Sequence, residues 1–180
     1  MHGLLVKPNI LSSDRCNQII DLFDHDDRSI QGHPYPAKLS TDLHCNFNDT
    51  QWHDYNDIIL PAVQTLVSCI RSEYYFINYC GPWDISDWYN IQYYQHDQGY
   101  YRHHCEHGRN ALNRILAWMI YLNVSPCGTE FPYQQTTLQA TQGHGAIWSA
   151  HWTHPHRGVT PNIGNKYIAT GWCEYAKRSE

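Results

Sequence analysis

From Tyr74 onward the chain consists of short apolar or aromatic runs separated by Gly, Pro, Asn and Asp. Runs of this length and punctuation are read as strands, here over residues 88–94, 101–106, 114–122, 145–149, 156–159 and 167–174, with shorter ones between. Many short strands at such intervals predict a sandwich or barrel. The 14 tyrosines and 7 tryptophans suit this reading, because broad flat side chains cover strand faces and pocket walls.

The N-terminal part differs. Ser12 and Ser13 precede Asp14, and Cys16, Ile19, Ile20, Leu22 and Phe23 recur at helical spacing, so a capped amphipathic helix is predicted to start near Ser13. Residues 24–48 read as loop with one strand. A second helix follows Asn48 through Tyr55, Ile58, Ile59, Val63, Leu66, Val67 and Ile70, and Pro61 is expected to kink or divide it. With 180 residues, 42% of them hydrophobic, one core is expected. The predicted layout is a single α+β, mainly β domain over 1–180: a helical part to about residue 73, then a β part from about 74.

Composition narrows the function. A net charge of -5 with dispersed basic residues lacks the continuous Lys/Arg stripe that nucleic-acid backbones require. Seven cysteines, none at CxxC spacing, and no signal-like N-terminus favour a reducing, cytoplasmic setting over a disulfide scaffold. No apolar run approaches the ~20 residues of a membrane helix. The 13 histidines gather near residues 99–110 and 143–158, as expected of a metal site drawing on two distant segments.

His104 and Glu106 lie two residues apart, and on a strand such residues share a face, so imidazole and carboxylate can converge on one ion. A second histidine from a distant strand would complete a two-His, one-carboxylate set with three adjacent positions open, the arrangement that oxygen-activating iron(II) uses. His154 and His156 share a parity, so alternation does not choose between them. The same cluster, with His103 and His107 nearby, is also compatible with a zinc-dependent hydrolase.

The succession Tyr94-Gln-His-Asp-Gln-Gly-Tyr-Tyr-Arg-His-His-Cys-Glu106 is followed by Arg114-Ile-Leu-Ala-Trp-Met-Ile-Tyr-Leu-Asn123 and then Gly128-Thr-Glu-Phe131. His156-Arg-Gly-Val159 and Gly164-Asn-Lys-Tyr-Ile-Ala-Thr-Gly-Trp172 come after them, and Asn9-Ile-Leu-Ser-Ser-Asp-Arg-Cys-Asn-Gln-Ile-Ile20 precedes them all. In this order they resemble the prolyl 4-hydroxylase-like branch of the 2-oxoglutarate/iron(II)-dependent dioxygenases. The resemblance implies a double-stranded β-helix (jelly-roll) core with flanking N-terminal helices, and iron(II), 2-oxoglutarate and dioxygen as reactants.

It also implies roles. In the family the second histidine precedes the oxoglutarate-binding basic residue by nine or ten positions; His156 stands ten before Lys166, which selects His156 over His154. The implied metal ligands are His104, Glu106 and His156. Lys166 is matched to the distal carboxylate of 2-oxoglutarate, Tyr121 to a tyrosine donating to the same carboxylate, and Tyr94, or its neighbour Tyr93, to a tyrosine lining that pocket. Thr170 and Trp172 share the Lys166 face, Trp172 there by packing. Arg114, of opposite parity to Tyr121, is expected in a salt bridge or substrate contact at the rim, and Cys105 in the core.

Two departures stand out: the carboxylate ligand is Glu106 where the family has aspartate, and Cys127-Gly128 replaces Gly-Gly. A retained carboxylate favours hydroxylation over halogenation. The implied substrate is a prolyl residue in a peptide or protein, with Trp83, Trp88, Tyr100, Trp148 and Trp152 as candidates for a groove accepting the ring. A small-molecule substrate is the alternative, and a non-catalytic jelly-roll module a weaker one.

Overall fold

The computed structural model describes residues 3–32, 37–160 and 163–176. The chain begins with β1 (Leu4–Lys7), α1 (Ser13–Asp24), β2 (Ile30–Gln31), β3 (Lys38–Leu39), β4 (Thr41–Asn46) and α2 (His53–Glu73). It continues with β5 (Trp83–Tyr94), β6 (Gly99–Tyr100), β7 (Arg114–Tyr121), β8 (Ser125–Phe131) and β9 (Thr136–Ala140), and ends with β10 (Gly145–Ser149), β11 (Arg157–Gly158) and β12 (Lys166–Tyr175).

Helix α1 starts where its cap predicts. Ser12 is extended and its hydroxyl accepts the Arg15 N–H, while Cys16, Ile19 and Phe23 turn inward. Helix α2 runs through Pro61 as one element, so of the expected kink or division the division does not occur. The proline sits on the solvent face, as does Asp57, whose carbonyl loses its helical donor to the proline ring. The opposite face, with Tyr55, Ile59, Val63, Leu66 and Ile70 buried, holds both halves on one core.

Seven strands form the major sheet in the order β1-β10-β7-β12-β5-β4-β2, and β11-β8-β9 form a smaller one. Each pairing in both sheets is antiparallel, and together they make a jelly roll, mainly β, with the two helices against the outer face of the major sheet. Strand alternation divides the interior into two layers. Leu116, Trp118 and Ile120 of β7, Tyr167, Ala169 and Cys173 of β12, and Tyr89 and Ile91 of β5 join α1 and α2. Ala117, Met119 and Tyr121, with Ile168, Tyr94, Trp148 and Phe131, form the second layer between the sheets. Gly171 permits a close approach between strand and ring: a Cβ there would stand 2.5 Å from Trp118 Cζ2.

Three strand expectations are corrected. Residues 101–106 form no strand; beyond β6 the segment is irregular and held by the antiparallel bridge of His104 to His156 and by backbone bonds from Tyr101 to Ala37 and from Glu106 to Ala150. A histidine-rich stretch without alternating apolar residues has no face to bury, so these separate backbone bonds order it in place of a ladder. Strand β5 begins earlier than expected, at Trp83, and the N-terminal Leu4–Lys7 pairs with β10 at the sheet edge. Among the described residues of 24–48 there are three strands in place of one.

Candidate metal and cosubstrate site

Between the sheets lies a cavity of about 310 Å³ whose wall includes His104, Glu106, His156 and Lys166. One ligand atom from each of His104, Glu106 and His156 lies within 4.8 Å of the others. Backbone bonds set this arrangement. His104 and His156 exchange N–H···O=C bonds of 2.9 Å in both directions, and the Glu106 and His107 amides both donate to the Ala150 carbonyl, at 3.1 and 2.9 Å. Tyr100 stacks on His104 with ring centroids 3.7 Å apart, while Phe131 and Trp148 pack on His156. Convergence of His104 and Glu106 therefore comes from this tethering, and not from the strand geometry expected.

The hydrogen-bond pattern tests whether the three residues suit a cation. His104 Nδ1 lies 3.2 Å from the Arg102 carbonyl and His156 Nδ1 lies 3.1 Å from the His154 carbonyl, so each Nδ1 carries the proton and donates. Nε2 of each ring faces Glu106 Oε1, at 3.3 Å in both cases, so each ring meets the carboxylate either through a shared proton or, with a metal in that proton's place, through its lone pair. Three acceptors facing one another repel unless a positive charge lies between them, which is what a divalent metal supplies. Burial works to raise the Glu106 pKa, but the two histidines outweigh it and hold the carboxyl well below its ordinary range. The donor set, two imidazoles and one carboxylate, fits iron(II).

Glu106 is held at its other oxygen as well. Trp172 Nε1 donates to Oε2 at 2.7 Å, and Arg114 Nη1 lies 3.3 Å from the same atom. The Arg114 guanidinium also covers the Trp172 ring at 3.6 Å. Trp172 thus hydrogen-bonds where packing alone is expected of it, and Arg114 makes an expected salt bridge but reaches a carboxylate of the cluster in the cavity wall, inward of the expected rim. Parity misleads for Arg114 because the β12–β7 register shifts between Cys173 and Glu174, beside the position where Arg114 pairs.

Lys166 is buried, 3% exposed, yet has no carboxylate partner among the described residues. Its Nζ is 3.3 Å from the Val159 carbonyl, 3.5 Å from that of Gly128 and 5.0 Å from the Tyr94 ring centre. Burial lowers its pKa to about 8. Close by, Trp148 leaves its buried indole N–H unpartnered among the described residues. A buried ammonium bounded by carbonyls and a ring suits an anionic carboxylate brought from outside the chain.

The remaining candidates separate. Tyr94 lines the cavity, whereas Tyr93 points to the helices and meets Tyr167 and Phe23. Tyr121 lies one residue behind the wall, donating its hydroxyl to Thr129 Oγ1 at 2.9 Å; Thr129 itself faces the cavity. Thr170 lines the cavity and donates to the Trp118 carbonyl. Cys105 also lines it, in place of the expected core position. His154 stays outside the cluster and supplies its carbonyl to His156. Gly128 is obligatory: a Cβ would fall 1.5 Å from the Leu138 carbonyl oxygen, so the close β8–β9 approach needs glycine there, while Cys127 beside it is accommodated. Of the five aromatics considered for a groove, Tyr100 and Trp148 reach the cavity, Trp83 is buried in the helix-side core, and Trp88 and Trp152 are exposed.

Residues 89–174 match the family model of the 2OG-Fe(II) oxygenase superfamily. No curated protein matches the chain by sequence. Among solved structures, a Pseudomonas putida prolyl-4-hydroxylase superposes with a TM-score of 0.76 at 14% identity, covering 98% of this chain and 95% of its own. The viral collagen prolyl hydroxylase of Paramecium Bursaria Chlorella virus-1, solved as a 2OG complex, gives 0.71 at 16% identity over 97% of both chains. A Trichoplax adhaerens prolyl hydroxylase in complex with a hypoxia inducible factor peptide fragment gives 0.66 at 16%, over 97% of this chain and 84% of that one.

Proposed function

The chain carries a 2OG-Fe(II) oxygenase domain and is a 2-oxoglutarate-dependent dioxygenase using iron(II) and dioxygen, and on that premise we propose that it hydroxylates prolyl residues in a peptide or protein. The observation that carries the reading of the site is the pairing, inside one cavity, of the His104–Glu106–His156 corner with the buried Lys166. A hydrolytic zinc site needs the first and has no use for the second.

Bound iron(II) with 2-oxoglutarate and dioxygen supplies the oxidising power that replaces a C–H bond by C–OH, while the cosubstrate leaves as succinate and carbon dioxide. The protein's part is binding, orientation and exclusion of water. His104, Glu106 and His156 hold the metal on one side. Lys166 pairs with the distal carboxylate of 2-oxoglutarate, with Thr129, itself held by Tyr121, on the same wall. Trp172 and Arg114 keep Glu106 aimed, and Phe131 and Trp148 keep water from His156. The prolyl substrate is supported by the names of the structural neighbours and by the aromatic Tyr100 and Trp148 in the wall.

The test is incubation of the iron(II)-loaded protein with 2-oxoglutarate, oxygen and a set of proline-containing peptides, each beside its Pro→Ala counterpart. Succinate release coupled to gain of one oxygen atom only on the proline peptides is the expected result. Succinate without any peptide oxidation, or equal oxidation of the alanine peptides, would reject the prolyl assignment and leave the small-molecule reading. No succinate under any condition would sink the dioxygenase assignment itself.

A further inference from the structure

The cavity wall carries three cationic side chains: Lys38, Arg114 and Lys166. Arg114 is matched by Glu106 and Glu174. Lys38, on β3, lies 2.5 Å from Asp42 Oδ2, and Asp42 is 3% exposed. Of these three, only Lys166 lacks a carboxylate partner among the described residues. Asp42 is itself fixed from two further directions: Ser40 Oγ donates to its Oδ1 at 2.8 Å and Gln92 Nε2 to its Oδ2 at 3.4 Å. That second bond orients the Gln92 amide, whose Oε1 then accepts the Tyr94 hydroxyl at 2.8 Å.

We propose that Asp42 determines how the cavity selects its anion: by neutralising Lys38 it leaves Lys166 as the single uncompensated cation on which a cosubstrate registers, and through Gln92 it fixes Tyr94, whose ring centre stands 5.0 Å from Nζ of that lysine. The physical reason is discrimination. Two uncompensated lysines in a cavity of about 310 Å³ would hold a dicarboxylate in more than one register and would favour anions of higher charge. One lysine opposite one metal corner admits a single direction of binding. Asp42 touches neither cosubstrate nor metal in this role; it acts through Lys38 and Gln92 and is a positioning residue.

The inference rests on the reading of Lys166 as the cosubstrate anchor, so the test treats the two separately. Calorimetric titration of the iron(II)-loaded protein under argon, with 2-oxoglutarate and with the tricarboxylate tricarballylate, reads binding without turnover. Lys166→Met tests the anchor: at least tenfold weaker 2-oxoglutarate binding is expected, and an unchanged value would remove the anchor reading whatever Asp42 does. Asp42→Asn is expected to tighten tricarballylate about tenfold relative to 2-oxoglutarate, since it exposes the Lys38 charge. Lys38→Met should do the opposite and weaken both anions severalfold, because Asp42 then stands unpaired. The double variant should return the ratio of the two affinities to within about twofold of the parent. Such opposed signs with mutual rescue distinguish charge compensation from a merely structural loss. If Asp42→Asn fails to fold, Lys38→Met and the double variant still decide, through weakening in the first and recovery in the second. Equal weakening in every variant, with no recovery in the double, would overturn the proposal.

Discussion

The Trp172 indole donates its N–H to Glu106 Oε2 at 2.7 Å while Glu106 Oε1 lies 3.3 Å from both histidines, so one carboxylate is shared between a fixed donor and a metal corner. A glutamate has one more torsion than an aspartate and would otherwise wander. Here the extra reach is taken up by a second anchorage from Trp172 and Arg114.

Removing that anchorage has a measurable effect. Trp172→Phe keeps the ring and the Arg114 contact but loses the donor, and is expected to weaken metal binding about 10- to 100-fold, as loss of hydrogen bonds behind metal ligands generally does. Glu106→Asp is expected to bind metal more weakly too, because the shorter arm cannot reach both Trp172 Nε1 and the histidines. Titration with iron(II) under argon, or with manganese(II), reads both. Tighter binding by Glu106→Asp would show that the anchorage is not matched to glutamate.

Lys166 opposes stability to function. A buried ammonium held only by carbonyls costs the fold roughly 1–3 kcal/mol or more, so Lys166→Met is expected to raise the denaturant midpoint of the protein free of 2-oxoglutarate while abolishing cosubstrate affinity. Loss of stability on this substitution would mean that the lysine is satisfied within the fold.

The pH dependence follows from the same residue. Its folded pKa is lowered from 10.5 to about 8 by burial. Between those values the unfolded chain binds the proton that the folded chain has released, so this residue's contribution to stability rises as pH increases from about 8 to 10.5. Cosubstrate binding, which needs the ammonium, should weaken over the same interval. Affinity for 2-oxoglutarate measured from pH 7 to 10 should fall in the parent and stay nearly level in Lys166→Arg, whose guanidinium keeps its charge.

His154 and His156 are two residues apart and both buried, yet they should behave differently. His156→Ala removes a lone pair from the corner and should abolish iron binding. His154→Ala keeps the backbone carbonyl that orients His156 and should bind iron with little change, at some loss of thermal stability from its place against Gly3. Metal content after gel filtration separates the two outcomes.

What could be read directly from the chain was local. The cap at Ser12, the inward stripe of α1 and the alternation along β7 and β12 depend on neighbours a few residues away, so periodicity and parity recover them. That alternation placed Lys166, Thr170 and Trp172 on one face. The residue order also carried the resemblance to the oxygenase family, and the spacing to Lys166 selected His156. Tertiary structure decided the rest. Pro61 is tolerated because the core beneath α2 holds both sides of it. His104 and Glu106 converge through the His156 bridge and the Ala150 carbonyl and not through a strand of their own. The Trp172–Glu106 bond spans 66 residues, the inward turn of Arg114 depends on a register shift at the end of β12, and the Asp42–Gln92–Tyr94 line joins adjacent strands distant in sequence. Such contacts are set by how sheets pack and where their registers slip. No window of sequence contains both partners.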